Sequence, residues 1–187
     1  MRENDLITIE NFLENKEEML DVKEEPFEKL MFFYKSALNQ LITQMNIIKD
    51  EFQIMYNYDL IDHIDTRIKE PKSIVKKMEK KKYDKTYLNL IDKINDIAGM
   101  RIVCTLKDDI FFIRDLIKQM PEIHILKEKD YVTNPKPSGY SSYHMIVEVP
   151  VKLTQKTIYV KCEIQIRTMA MDFWASFELK RSWVSKK

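Results

Sequence analysis

The sequence predicts an α+β domain, a mixed sheet of about five strands flanked by helices. Three observations predict it. Phe27, Leu30, Tyr34, Ala37, Leu41, Met45, Ile48, Phe52 and Met55 advance in steps of three and four, the period of one long helix face. Short runs such as 97–106 (IAGMRIVCTL) and 157–166 carry the continuous apolarity or two-residue alternation of strands. Both patterns intersperse along 187 residues without repeat or low-complexity linker, which suits a single domain.

The elements follow in order. Residues 6–20 predict a short, charged helix, an N-terminal helical extension (1–25) broken at 21–25 before Pro26. The 27–55 stripe is a helix of ~43 Å, packed on the sheet or offered to a coiled-coil partner. Ile64, Thr66 and Ile68 alternate with Asp65, Arg67 and Lys69, which is strand period. Pro71 opens a helix containing Ser73, Ile74 and Met78, and five lysines crowd 76–82. Residues 97–106 form a buried strand. Asp108 and Asp109 cap a helix whose apolar face is Ile110, Ile113, Leu116 and Ile117. A strand at 123–132 leads into a loop at 133–141 (TNPKPSGYS). Strands at 143–149 and 157–166, separated by 150–156, suggest a hairpin. A last helix begins near Thr168 and carries Met171, Trp174, Ala175 and Leu179.

Composition excludes several chemistries. The chain is 44% hydrophobic and 33% charged, enough apolar content for a core. Its net charge is +1, so a phosphate or nucleic-acid site must be a local patch. Gly99 and Gly139, the two glycines, lie too far apart for a P-loop or a dinucleotide fingerprint. His63, His124 and His144 form no HExxH pair, and Cys104 and Cys162 cannot build a Cys-rich zinc site. Both cysteines sit in strand-like runs, which suits buried reduced thiols and a cytoplasmic location. No apolar run reaches ~18 residues and the N-terminus is acidic and polar, so neither a membrane span nor a signal peptide is expected.

Four segments concentrate charge where a plain core would not. Arg67 and Lys69 share one strand face, with Lys76 and Lys77 on the following helix; this is either a solvated basic face or a phosphate site. Asp96 precedes a buried strand that contains Arg101; the arginine needs an acid, a ring face or a ligand, and Asp96 is one candidate. The loop from Lys136 through Gly139 and Tyr140 to His144 is either a surface turn or a place to stack a base and hold phosphates. Glu163, Gln165 and Arg167 line one strand face while Ile164 and Ile166 take the other. Asp96 and Glu163, if brought together, suit Mg²⁺ bridging nucleotide phosphates.

Asp96-Ile-Ala-Gly-Met-Arg101, Asn134-Pro-Lys-Pro-Ser-Gly-Tyr-Ser-Ser-Tyr-His144 and Glu163-Ile-Gln-Ile-Arg167 resemble the signatures of RelA/SpoT-type (p)ppGpp synthetases. Arg67-Ile-Lys69 through Ser73 to Lys77 upstream, and Met169-Ala-Met-Asp-Phe-Trp174 to Glu178 downstream, extend the likeness over about 30–180. The last wording is similar to the stand-alone small alarmone synthetases. No His-Asp dipeptide of the bifunctional hydrolases occurs.

The resemblance implies a single, nucleotidyltransferase-like synthetase domain (26–187) that moves the β,γ-diphosphate of ATP to the 3′-hydroxyl of GTP or GDP and releases AMP. It implies that Arg67 and Arg101 sandwich adenine, that Lys69 and Lys77 hold the ATP phosphates, and that Glu178 helps orient ATP. Asp96 and Glu163 are the implied catalytic pair and Mg²⁺ ligands, with Glu163 drawing off the 3′-hydroxyl proton. Tyr140 is implied to stack on guanine, with Lys136, His144, Gln165 and Arg167 placing the acceptor. Leu179 departs from the histidine common after the acid, and the C-terminal helix is shorter than in small synthetases, which tend to form tetramers.

A homo-oligomer, dimer or tetramer, is expected through the N-terminal helices; neither a membrane nor DNA is expected as partner. Two alternatives use the same residues: pyrophosphorylation of the tRNA 3′ end, or a weakly active nucleotide- or RNA-binding module. The basic run 76–85 suits single-stranded RNA in either.

Overall fold

The computed structural model describes residues 6–9 and 17–184. In chain order the elements are β1 (Leu6–Thr8), α1 (Glu25–Tyr56), β2 (His63–Ile68), α2 (Pro71–Lys81), α3 (Tyr87–Lys93), β3 (Ala98–Cys104), α4 (Lys107–Lys118), β4 (His124–Asp130), β5 (Tyr143–Lys152), β6 (Thr157–Thr168) and α5 (Met169–Val184).

The sheet order is β2-β3-β6-β5-β4, with β1 added on β6. β6 is the middle strand. It runs antiparallel to β5 along residues 157–166 and parallel to β3 along 163–168. Cys162, Ile164 and Ile166 are fully buried beside Met100 and Ile102, so one sheet face is core. That face packs on α1, which crosses β2, β3, β5 and β6.

α1 has 32 residues, hence a length of ~48 Å. Leu30, Tyr34, Ala37, Leu41 and Met45 are at most 1% exposed, which puts the predicted stripe in the core. The stripe outruns the sheet. Phe52 is half-buried, and Met55 and its neighbour Ile54 are 72% and 75% exposed. Asn57, in left-handed backbone at φ 50°, ends the helix by donating its N–H to the Phe52 carbonyl.

Three local expectations are corrected. Leu6–Thr8 is not helix but a strand, because the edge of β6 at 157–159 lies beyond the reach of β3 and accepts a ladder there. Of the rest of the expected helix, 10–16 lie outside the described residues, and Met19 makes an antiparallel bridge with Thr86. α4 starts at Lys107, so Asp109 caps from inside it: its carboxylate accepts the Leu106 N–H at 3.0 Å. β5 continues through Pro150 to Lys152, and the turn is only 153–156. Pro150 lies past the β4 pairing, which ends at Glu148, so β5 needs no donor on that side.

α3 was not anticipated. Thr86 starts it by accepting the Asn89 N–H at 3.2 Å, and Tyr87, Leu90 and Ile91 face the core.

Candidate active site

Strand register builds the site on the sheet face away from α1. Arg67 lies opposite Gly99, and Asp65 opposite Arg101. Gly99 in turn lies opposite Glu163, and Arg101 opposite Gln165. His144 pairs with Gln165, and Ile146 with Glu163. Four strands thereby bring Arg67, Arg101, His144, Glu163 and Gln165 onto one surface. Arg67 lies over Gly99; a Cβ there would sit 3.6 Å from the Arg67 Cγ.

Two clefts open on this face. One, of about 240 Å³, is lined by Asp65, Thr66, Arg67, Gly99, Arg101, Glu163 and Gln165, among others. The other, about 180 Å³, is lined by Lys77, Lys93, Asp96, Lys127, Lys129, His144 and Glu163, among others. Glu163 belongs to both. A larger cavity of about 560 Å³ lies beside α1, at Asn39, Thr43 and Pro121. Its one carboxylate, Glu122, is engaged by Lys152 at 2.7 Å, and no basic side chain lines it. The charged clefts, not this one, suit phosphates.

Asp96 is held by two lysines. Lys69 donates to one carboxylate oxygen at 2.9 Å and Lys77 to the other at 2.7 Å. Burial pushes the carboxyl up, but the two ammonium groups outweigh it and hold it below the usual carboxylate range. Of the partners open to Arg101, Asp96 is therefore not the one it takes. Arg101 turns its Nη1 to Asp172 at 3.2 Å and to Asp65 at 3.6 Å.

Glu163 stands in a closed ring of hydrogen bonds. Its Oε1 lies 3.3 Å from His144 Nδ1, and its Oε2 accepts from Gln165 Nε2 at 3.0 Å. His144 Nε2 meets the Tyr140 hydroxyl at 2.8 Å. Arg167 donates to that hydroxyl at 2.7 Å and to Gln165 Oε1 at 2.6 Å, closing the circuit. Burial raises the Glu163 carboxyl, while His144 and Gln165 outweigh it and hold it low; the charge of Asp96 works the other way. Glu163 is thus an ionised, half-buried carboxylate at neutral pH.

The Tyr140 ring is less free than a bare stacking platform. The Lys136 ammonium lies 4.6 Å from its centroid and the Arg167 guanidinium 5.1 Å. Gly139, at φ +82°, makes the loop's tight turn, and a Cβ there would come within 3.3 Å of Trp174 Nε1. That contact docks the loop on α5. Glu178 lies on α5 with its side chain outside the described residues.

Asp96 and Glu163 line one cleft and feel each other's charge, an arrangement that fits a divalent cation. Among the described residues no group of three or more His, Cys, Asp or Glu side chains assembles around a metal position.

Three residues of the site were given no role of their own by sequence reasoning. Ser142, fully buried, accepts from Arg167 Nε at 3.2 Å. Tyr131 shares the Lys136 ammonium with Tyr140. Asp172 accepts from Arg167 Nη1 at 3.2 Å. An acid in the first turn of a helix that begins directly after the strand carrying Arg167 was the available signal for the last.

A family model described as the region found in RelA/SpoT proteins matches residues 66–187. The chain belongs to the RelA/SpoT family. It is 44% identical over 156 residues to the GTP pyrophosphokinase YwaC of Bacillus subtilis, covering 83% of this chain and 74% of that one. The GTP pyrophosphokinase YjbM of the same organism is 32% identical over 152 residues, 81% and 71% of the two chains. Among solved structures, small alarmone synthetase 2 of Bacillus subtilis superposes with a TM-score of 0.76 at 41% identity, covering 87% of this chain and 83% of that one. Small alarmone synthetase 1 bound to its product pppGpp gives 0.77 at 30% identity, covering 86% and 81%. The sheet flanked by helices described above is the fold of these RelA/SpoT synthetases, as the sequence predicts.

Proposed function

We propose that this chain is a GTP pyrophosphokinase: it transfers the β,γ-diphosphate of ATP to the 3′-hydroxyl of GTP or GDP, giving (p)ppGpp and AMP. The observation that carries this reading is Glu163, an ionised carboxylate shared by two charged clefts on one sheet face. A donor nucleotide in one cleft and an acceptor in the other would both meet it.

In this reading Arg67 and Arg101 hold the adenine of ATP by stacking and hydrogen bonding. Lys69 and Lys77 exchange their carboxylate partner, Asp96, for the ATP phosphates. Asp96 and Glu163 would hold Mg²⁺, which when bound would neutralise charge on the transferring phosphates. Lys136, Tyr140, His144, Gln165 and Arg167 seat the guanosine nucleotide. Glu163 accepts the proton of the 3′-hydroxyl as that oxygen bonds to the β-phosphorus. The bond from the β-phosphorus to the oxygen bridging it to the α-phosphorus breaks, and AMP leaves with that oxygen. Positioning and charge neutralisation supply most of the rate in such transfers.

Incubation with ATP and either GTP or GDP, followed by anion-exchange separation and mass identification, tests the activity. One guanosine product larger by a diphosphate, with equimolar AMP, is expected. Transfer to a tRNA 3′ end with none to free nucleotides would overturn the reading. No described helix is long and apolar enough to cross a membrane.

Tyr140→Ala is expected to weaken GTP or GDP binding by about 1–3 kcal/mol through lost stacking, with ATP affinity little changed. Tyr140→Phe is expected to lose part of this as well, because the hydroxyl joins His144 to Arg167. Calorimetric titration of each nucleotide separates the two effects. Equal losses for ATP and GTP would remove Tyr140 from the acceptor side.

Self-association is the second expected property. Ile54, Met55 and Tyr56 are 75%, 72% and 63% exposed at the end of α1. Phe52 there meets the half-exposed Phe112 of α4, their ring centroids 5.5 Å apart. Such a patch marks an interface. A dimer through this end of α1, rather than a closed tetramer, is expected by light scattering, and Met55→Glu with Tyr56→Glu is expected to yield monomers. A wild-type monomer at high micromolar concentration would refute it.

A further inference from the structure

Asp172 touches both halves of the site. Its Oδ1 lies 3.2 Å from Nη1 of Arg101 and 3.2 Å from Nη1 of Arg167. The two arginines stand on the adjacent parallel strands β3 and β6, where Arg101 faces Gln165 and Arg167 faces Val103. Arg101 lines the cleft with Arg67, and Arg167 supports Tyr140. One carboxylate oxygen therefore joins a group on the proposed donor side to a group on the proposed acceptor side.

The two arginines depend on it unequally. Arg167 also donates to Ser142, Tyr140 and Gln165, and is 4% exposed. Among the described residues Arg101 has otherwise only Asp65, at 3.6 Å, whose side chain is 58% exposed. The Nε of Arg101 is buried without a hydrogen-bond partner. Among the described residues Asp172 is thus the one sheltered anion holding the Arg101 guanidinium, its side chain being 18% exposed. It also offsets the repulsion of two guanidinium groups in a half-buried setting.

The backbone holds Asp172 there. β6 ends at Thr168 and α5 begins at Met169, with no loop between. Thr168 Oγ1 accepts the Met171 N–H at 3.3 Å, and Ala175 is buried one turn on. The first turn of α5 brings Asp172 back over Arg167. An acid in that turn also complements the helix N-terminus.

We propose that Asp172 is a positioning residue that fixes Arg101 and Arg167 together, so that a single carboxylate governs the binding of both nucleotides. This rests on the pyrophosphokinase reading above. A guanidinium stacks on a base well only when its plane is fixed, and Asp172 fixes Arg101 at Nη1. Losing the charge at Asp172 frees Arg101 and leaves Arg167 with three acceptors in place of four.

The test is steady-state kinetics of Asp172→Asn, varying ATP and GTP in turn, with separate calorimetric binding of the ATP analogue AMPCPP and of GDP. KM for both nucleotides is expected to rise about tenfold, with kcat changing less than about threefold. Asp172→Glu, which keeps the charge, is expected to recover most of the loss. Asp172→Asn added to Arg101→Gln is expected to weaken AMPCPP no further, because its effect on the donor passes through Arg101. Unchanged KM values, a loss confined to one nucleotide, a fall in kcat alone, or full additivity with Arg101→Gln would each overturn the proposal. If Asp172→Asn does not fold, Asp172→Glu decides: a KM for both nucleotides within about threefold of wild type upholds the role, and larger losses overturn it. A wild-type chain that makes no alarmone would instead overturn the activity, and the AMPCPP and GDP titrations would still read the positioning role.

Discussion

Glu163→Gln is expected to lower turnover by about three orders of magnitude, or about 4 kcal/mol in barrier, with the fold intact. The amide keeps the size of the side chain and can still bond to His144 and Gln165. It cannot accept the 3′-hydroxyl proton, and it is a poor ligand for Mg²⁺. Asp96→Asn is expected to act in the same direction for a further reason, since it also releases Lys69 and Lys77 from their shared carboxylate. AMP release at saturating Mg²⁺, with thermal unfolding by circular dichroism as the folding control, measures both. Turnover within a few fold of wild type in Glu163→Gln would exclude it as the proton acceptor.

Arg167→Ala is expected to cost both stability and acceptor binding. The guanidinium serves Ser142, Asp172, Tyr140 and Gln165 at 2.6–3.2 Å from a buried position. Its removal strands those acceptors and breaks a buried ion pair, a loss of about 3 kcal/mol by the usual magnitudes. Urea unfolding reads that part. GTP affinity is expected to fall further, because Tyr140 loses its hydroxyl partner and one cation beside its ring. Arg167→Lys is expected to be a poor substitute, since a point ammonium cannot serve several fixed acceptors at once. Wild-type stability together with wild-type GTP affinity in Arg167→Ala would contradict the network.

The core of the fold was legible because its periodicities were long. The α1 stripe and the alternation at Glu163, Gln165 and Arg167 each appear in the structure where the spacing put them. The candidate residues on β2, β3 and β6 stood out because charge interrupts strand-like runs there. Three things were not legible, each for a physical reason. Leu6–Thr8 has no strand period of its own; only the free edge of β6 makes it a strand. Arg101 was offered Asp96 as partner because they are five residues apart, but strand register turns it to Asp65, and α5 brings Asp172. The bonds made by Ser142 and the Tyr140 hydroxyl reach Arg167 across more than twenty residues, a distance that no local pattern encodes.

The central place of β6 also bears on how the chain folds during translation. β6 is the last of the six strands to be synthesised, and β3 and β5 meet only through it. A ribosome-bound nascent chain ending before Thr157 holds two unjoined strand pairs, β2 with β3 and β4 with β5. Both would leave hydrogen-bonding edges exposed to chaperones or to other chains. Because Glu163 lies on that same strand, a chain ending before β6 lacks both the strand that joins the sheet and the carboxylate shared by the two clefts.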